Sequence, residues 1–266
     1  MAIFLVNGTG ACERMSDASF DHLVVYVPNI AEASQQFSQL GFKVSYGGAH
    51  SHTHSALIIF SDQTYIELLA LQSGFKRTLL LTLARSGLLD AIAKRMTDMS
   101  WRLMCWLNKP YGAIDWCLRT EDIDSLLESC RQNHYEVLKG EAFHRTRPDG
   151  MTARLLLGCV KDQEVPFLIE DQTSIDIRVP VNKTPQHPNG ALRIDKLIIA
   201  VDEPSRYQTK LNHLMAPSDD HSKPVIEYVK QTGGGNEFTL EVACSPDGVN
   251  NNIESNNVYD IAIHLV

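Results

Sequence analysis

A single histidine sits inside the apolar run Phe20-Asp21-His22-Leu23-Val24-Val25-Tyr26-Val27-Pro28. Side chains alternate across a strand, so His22, Val24 and Tyr26 share one face, and Leu23, Val25 and Val27 share the other. The aliphatic trio should cover a helix, which leaves His22 on the opposite, concave face. In Tyr65-Ile66-Glu67-Leu68-Leu69 the same alternation turns Glu67 away from Ile66 and Leu68. Burying a carboxylate in such a strand is costly unless it is paired or binds a metal. A glutamate recurs in Phe167-Leu168-Ile169-Glu170 and in Phe238-Thr239-Leu240-Glu241. One imidazole with two or three carboxylates is a ligand set for a divalent ion, with positions left open for a substrate. The same residues also suit a structural role, the histidine satisfying a carbonyl and the glutamates closing internal salt bridges. Ligands spread over separate strands leave no compact motif such as H-E-x-x-H to decide between the two.

The elements that must position these residues form a repeat. Ile114-Asp115-Trp116-Cys117-Leu118 echoes the first run, and the segments that follow stay in register through Phe42-Lys43-Val44 and Tyr135-Glu136-Val137. That register places Asp115 opposite His22. A second echo, Ile194-Asp195-Lys196-Leu197, has lysine in the place of the histidine, which argues against a metal in that unit. A repeated unit that cannot bury its apolar face alone stacks on its neighbours. Paired about a pseudo-twofold axis, the first two units would set His22 and Glu67 across a shared cavity from Asp115 and Glu170.

Each unit reads as strand, helix and three strands. After Pro28 ends the first strand, Asn29 caps a helix over 30–40, Gly41 stops it, and strands follow at 42–46, 56–60 and 64–71. Residues 76–110 carry apolar positions at helical spacing and read as a helical insertion packing over the sheet. The second unit holds a helix over 122–133, strands near 136, 152–160 and 165–170, and a long polar connection at 140–151. The expected organisation is a leader (1–18), a first βαβββ module (19–75), the insertion (76–110) and a second βαβββ module (111–173). A proline-marked extended linker (174–190) and a third, partial module (191–266) complete it. The fold class is therefore α+β, with tandem βαβββ modules forming curved mixed sheets around one cavity.

A length of 266 residues allows a full core, and 44% hydrophobic with 21% charged residues is ordinary globular usage. The net charge of −8 and pI near 5.7 argue against nucleic acid as a partner, which needs clustered Lys and Arg. No apolar stretch is long enough to span a bilayer, and Ile3-Phe4-Leu5-Val6 is too short for a secretory signal. The expectation is a cytoplasmic protein without membrane contact. Six cysteines without regular spacing read as reduced thiols.

With these residues assembled, the chain resembles the glyoxalase-like-domain branch of the vicinal-oxygen-chelate superfamily. The pieces that carry the resemblance include Phe20-Asp21-His22-Leu23-Val24, Gly47-Gly48-Ala49-His50, Tyr65-Ile66-Glu67-Leu68-Leu69, Arg147-Pro148-Asp149-Gly150, Pro166-Phe167-Leu168-Ile169-Glu170 and His187-Pro188. The resemblance implies paired modules curled around a cavity, with His22, Glu67 and Glu170 as ligands to Fe, Mn, Zn or Ni. It implies a lyase, isomerase or dioxygenase acting on a small molecule with adjacent oxygens, and it favours His50 among the loop histidines as proton carrier. Asp115 stands where a histidine or glutamine belongs in the family pattern, as a weaker ligand or a base.

Arg145 and Arg147 could clamp a substrate carboxylate or phosphate. His187 could close over the cavity from the linker or cap a strand. Two rivals share the same cavity. One is a metal-free binding protein walled by Tyr26, Tyr65 and Trp116, and the other is a metal-free enzyme with Glu67 and His22 as its acid and base. A homodimer is the expected assembly.

Overall fold

The structure is a computed structural model that describes residues 18–50, 53–72, 82, 95–138, 140–147, 149–180, 187–215, 223–233, 237–245 and 256–266. Its larger sheet has eight strands in the order β2-β3-β4-β1-β5-β8-β7-β6. The first module supplies β1 (Ser19–Tyr26), helix α1 (Ile30–Gln39), β2 (Ser45–His50), β3 (Thr53–Ile59) and β4 (Tyr65–Leu71). Helix α2 (Ser100–Leu107) comes from the insertion. The second module supplies β5 (Gly112–Arg119), α3 (Ile123–Gln132), β6 (Glu141–Thr146), β7 (Thr152–Gly158) and β8 (Phe167–Asp171). The two halves join where β1 and β5 pair antiparallel, and each half repeats the same strand order outward from that seam. The sheet curls until its ends approach, so that a Cβ on Gly48 of β2 would lie 3.2 Å from the Arg145 side chain of β6.

Capping explains the helix limits. The Asn29 side chain accepts the N–H groups of Ala31 and Glu32 at the start of α1, and Asp122 accepts that of Ser125 in α3. Gly41 follows α1 with φ of +81°, and a Cβ there would meet Asn189 Cβ at 2.8 Å, so both conformation and space call for glycine.

The strand expected near residue 136 is only an isolated bridge, Val137 to Val160, and β6 forms instead within the connection read as a loop. The linker contains a short helix, α4 (Ile175–Arg178), rather than extended chain alone. The third unit is rearranged: β9 (Ala191–Val201), α5 (Pro204–Asn212), β10 (Val225–Lys230), β11 (Glu237–Cys244), β12 (Asn256–Val258) and β13 (Ile261–Leu265). Its sheet runs β10-β9-β11-β13-β12, and β12 and β13 form a hairpin turning at Tyr259 and Asp260, both at positive φ. Lys196 bridges Glu227 and Glu241 at 3.3 and 3.5 Å.

One core unites Leu23, Val25 and Val27 with Ala33 and Phe37 of α1, Leu126 and Leu127 of α3, and Leu197, Ile199 and Leu240 of the smaller sheet. The concave face has its own cluster, in which Val24, Tyr26, Leu69, Phe167 and Ile169 receive Trp101 and Trp106 from α2. The insertion helix therefore fills part of the space between the modules. The described cysteines are free thiols.

Candidate active site

The histidine strand contains a break in pairing that decides which neighbour joins it. Along β1 and β5 the register shifts between Phe20 (opposite Leu118) and His22 (opposite Cys117), which makes Asp21 the extra residue of a β-bulge. Bulges re-aim side chains. Phe20 and Leu23 stay in the helix-side core, while Asp21 turns to the same corner as His22. His22 Nδ1 lies 2.9 Å from an Asp21 carboxylate oxygen, and Nε2 lies 3.6 Å from a Glu67 carboxylate oxygen. The Tyr65 ring stacks on the imidazole at 4.4 Å, and Phe167 meets it edge-on at 5.4 Å.

Arg178 of α4 organises this corner. Its side chain is 2% exposed. It donates to both oxygens of Asp21 at 2.9 and 2.8 Å, to both oxygens of Asp171 at 2.7 Å, and to the Tyr65 hydroxyl at 2.8 Å. Burial would raise the Asp21 pKa, but the Arg178 guanidinium and the His22 hydrogen bond outweigh it and hold the carboxyl well below the usual range. An ionised Asp21 accepts from Nδ1–H of His22, which leaves Nε2 facing Glu67.

The second module repeats the device with different chemistry. On β5 the shift falls between Ala113 (opposite Val25) and Asp115 (opposite Val24), so Ile114 is the extra residue and Asp115 occupies the counterpart of the His22 position. Asp115 is not free to act there. Arg102 of α2 donates to its oxygens at 2.6 and 2.7 Å, Trp106 Nε1 at 2.5 Å and the Trp116 N–H at 2.8 Å. Four donors use the lone pairs a carboxylate offers, so the expected role as ligand or base is corrected to that of a buried ion-pair anchor.

Glu170 is also displaced from its expected role. Phe167 and Ile169 lie in the concave cluster and Leu168 in the helix-side core, which puts Glu170 on the helix side. There it accepts the Ile123 N–H at 2.9 Å and a hydrogen bond from Gln172 Nε2. Register identifies what stands opposite Glu67 instead. Val24 pairs with Glu67 and Cys117 with Phe167, and the spacing that equates His22 with Asp115 equates Val24 with Cys117. A phenyl ring thus occupies the second carboxylate position.

A divalent ion in such a cavity takes three or more protein donors. The described residues bring together two, His22 and Glu67, beside a guanidinium, and they contain no group of three His, Cys, Asp or Glu that could hold an ion. This donor set does not fit the metal centre that the sequence pattern suggests. The His50 side chain lies outside those described.

The other expected site residues fall as follows. Tyr26 packs in the concave cluster with Tyr111, ring centroids 4.8 Å apart. Trp116 faces the helix side beside Phe20, at 6.4 Å, so it walls no part of the space next to His22. His187 accepts the Lys43 N–H at 2.8 Å and donates to the Ile59 carbonyl at 3.1 Å, which makes it a strand tie and not a closing group. Arg145 donates to the Arg178 carbonyl at 2.5 Å, and Arg147 to the carbonyls of Asp176 and Ile177 at 3.3 Å and to Asp149 at 2.5 Å. Both arginines thereby hold the turn that carries Arg178. They also line a cavity of about 250 Å³ with Tyr46, Leu57, Ile59 and Arg178, into which Asp149 brings a carboxylate. Arg145 Nε is buried there without a partner among the described residues.

Asp21, Asp171, Arg102 and Arg178 escaped the sequence reading. Asp21 had a signal, since an aspartate precedes the key position in the first and third repeats. Arg178 had none beyond an arginine between apolar residues in a presumed linker.

A curled eight-stranded sheet of paired modules, with its polar residues at the bulged central strands, defines a vicinal-oxygen-chelate fold. Within that superfamily the family model of the glyoxalase-like domain matches residues 20–215, and the chain belongs to this family. A hypothetical protein from Staphylococcus aureus has the same fold, with a TM-score of 0.67 at 17% identity over 94% of this chain and 100% of that one. The Mn(II)-bound glyoxalase from Novosphingobium aromaticivorans gives 0.47 at 9% identity, over 89% of this chain and 67% of that one. Methylmalonyl-CoA epimerase from Mycobacterium tuberculosis gives 0.37 at 15% identity, over 61% and 91%. No curated protein sequence matches the chain. No helix among the described residues is long and apolar enough to cross a membrane.

Proposed function

We propose that the chain is a small-molecule enzyme that moves a proton at a carbon beside a carbonyl, with His22 and Glu67 as its acid and base. The observation that carries this reading is the line Asp21, His22, Glu67. Asp21 accepts from Nδ1–H, so Nε2 faces the Glu67 carboxylate 3.6 Å away, and the two present an imidazole nitrogen and a carboxylate side by side. One member of the pair can take a proton from the substrate carbon while the other returns one to carbon or oxygen. The sum is enolisation, isomerisation or epimerisation, with atoms and charge conserved and no co-reactant. Positioned acid–base groups of this kind contribute about 10²–10⁴-fold to a rate. Tyr65 and Phe167 flank the imidazole and limit water around it. Arg145, which has no carboxylate partner among the described residues and lines a cavity with Leu57, the strand neighbour of Glu67, favours an anionic substrate such as an oxo acid.

The test is proton exchange in D₂O, followed by NMR, for pyruvate and a short panel of 2-oxo and 3-oxo acids. Catalysed exchange is expected to survive a chelator and to fall about 10²–10⁴-fold in folded Glu67→Gln and His22→Gln variants. Exchange that a chelator abolishes and Fe, Mn, Zn or Ni restores would overturn the reading in favour of a metal enzyme. Tight binding of these acids without exchange would overturn it in favour of sequestration.

A further inference from the structure

The five N–H groups of Arg178 find five separate acceptors. Nε and one Nη2 hydrogen go to the two oxygens of Asp171, each at 2.7 Å. Nη1 and Nη2 reach the two oxygens of Asp21 at 2.9 and 2.8 Å, and the second Nη1 hydrogen reaches the Tyr65 hydroxyl at 2.8 Å. A guanidinium holds its five donors in a fixed fork, whereas an ammonium has three and no fork. Arg178 thus keeps no donor for a substrate, and what it fixes is the imidazole beside it. Asp21 accepts from Nδ1 of His22 at 2.9 Å, and the Tyr65 ring lies on the imidazole at 4.4 Å with planes 11° apart. One partner selects the nitrogen that carries hydrogen, and the other selects the plane of the ring.

The turn that carries Arg178 is itself seated. Arg145 donates to the Arg178 carbonyl, Arg147 to those of Asp176 and Ile177, and Gln63 Nε2 to the Asp176 carboxylate at 2.8 Å. Asp21 lies on β1, Tyr65 on β4 and Asp171 on β8, so one guanidinium ties both modules to the linker at the histidine. The other cation beside Asp21, Arg119, stands 3.7 Å away, beyond hydrogen-bond reach. In the second module Arg102 bonds Asp115 directly, at the counterpart of the His22 position. Arg178 bonds one residue earlier, which leaves Nε2 of His22 open toward Glu67.

We propose that Arg178 is the positioning residue of this site. Through Asp21 it holds His22 as the Nδ1–H tautomer, and through Tyr65 it holds the ring plane, so that Nε2 meets the substrate beside Glu67. The role rests on the reading of His22 and Glu67 as acid and base.

Nitrogen-15 NMR of the histidine-labelled full chain tests it without turnover, His22 being assigned by its loss in His22→Gln. The wild type is expected to carry hydrogen on Nδ1 and none on Nε2 at neutral pH. Arg178→Met removes the charge and the fork; a buried carboxyl without its cation takes up a proton and donates it to Nδ1, which moves the imidazole hydrogen to Nε2. Arg178→Lys keeps the charge and should keep the tautomer. In the D₂O exchange assay kcat should fall about 10–100-fold in Arg178→Met and less in Arg178→Lys, at unchanged KM, because Arg178 touches no substrate. Wild-type hydrogen on Nε2 overturns the proposal. So does a folded Arg178→Met with the wild-type tautomer, or one that raises KM at unchanged kcat. Should Arg178→Met fail to fold, the wild-type spectrum still decides, and wild-type kcat in Arg178→Lys overturns the need for the fork. A wild type that exchanges none of the acids defeats the acid–base reading instead, and the spectra alone then judge Arg178.

Discussion

His187 is a buried imidazole with both nitrogens committed, one accepting from Lys43 and the other donating to Ile59. Protonation would turn the accepting nitrogen into a donor facing the Lys43 N–H. Burial lowers its pKa from 6.5, the Ile59 hydrogen bond opposing and the Lys43 charge assisting. An unfolded chain therefore takes up this proton at a higher pH than the folded one. Between the two values the unfolded state binds more protons, and stability falls as pH falls. The contribution is complete above about pH 6.5 and is lost as acid increases through the folded-state value. Urea midpoints followed from about pH 7.5 to about pH 5 should fall more steeply in the wild type than in His187→Gln, itself less stable at the upper pH.

Strict alternation along a strand made His22 and Glu67 legible in the sequence. The same alternation hid Asp21, because a bulge adds a residue that no period-two pattern announces. It also shows why Glu170 misleads: Glu67 lies two residues after Tyr65, but Glu170 lies three after Phe167, which is the opposite parity. The arginines that immobilise Asp21 and Asp115 come from α4 and α2, and local spacing carries no trace of such long-range pairing.

At the scale of elements, the helix ends were readable and one edge strand was not. Asn29 and Asp122 announced α1 and α3 because their side chains must satisfy the first N–H groups. Strand β6 has alternating half-buried and exposed residues, without the aliphatic face that marks a strand in the sequence. Helix α3 has a second anchor at its start. Asp122 takes the Ser125 N–H, and Glu170 of β8 reaches across to take that of Ile123. Negative charge there also matches the helix dipole. Glu170→Ala should therefore cost about 1 kcal/mol of stability while leaving the rate of any turnover intact. A metal ligand would show the reverse, with turnover lost at unchanged stability, and denaturant unfolding beside the exchange assay reads both.

At the scale of the molecule, the third unit is built into the core that supports the site. Leu197, Ile199, Leu240 and Ile263 share one buried cluster with Phe37 of α1 and with Leu23 and Val25 on the reverse face of the histidine strand. The seam also carries backbone hydrogen bonds, from Ser61 to Leu192 and from Ala113 to Tyr259. A chain ending at residue 190 would expose the helix-side core and leave the Ala113 N–H at the start of β5 without its acceptor. Each large aliphatic side chain uncovered forfeits about 1.5–3 kcal/mol, and a handful of them matches the whole stability of a domain, about 5–15 kcal/mol. The truncated chain is expected to lack a cooperative thermal transition and to elute as an aggregate, whereas the full chain unfolds cooperatively. A monomeric, cooperatively folded 1–190 fragment would show instead that the paired modules stand alone and that the smaller sheet is an appendage.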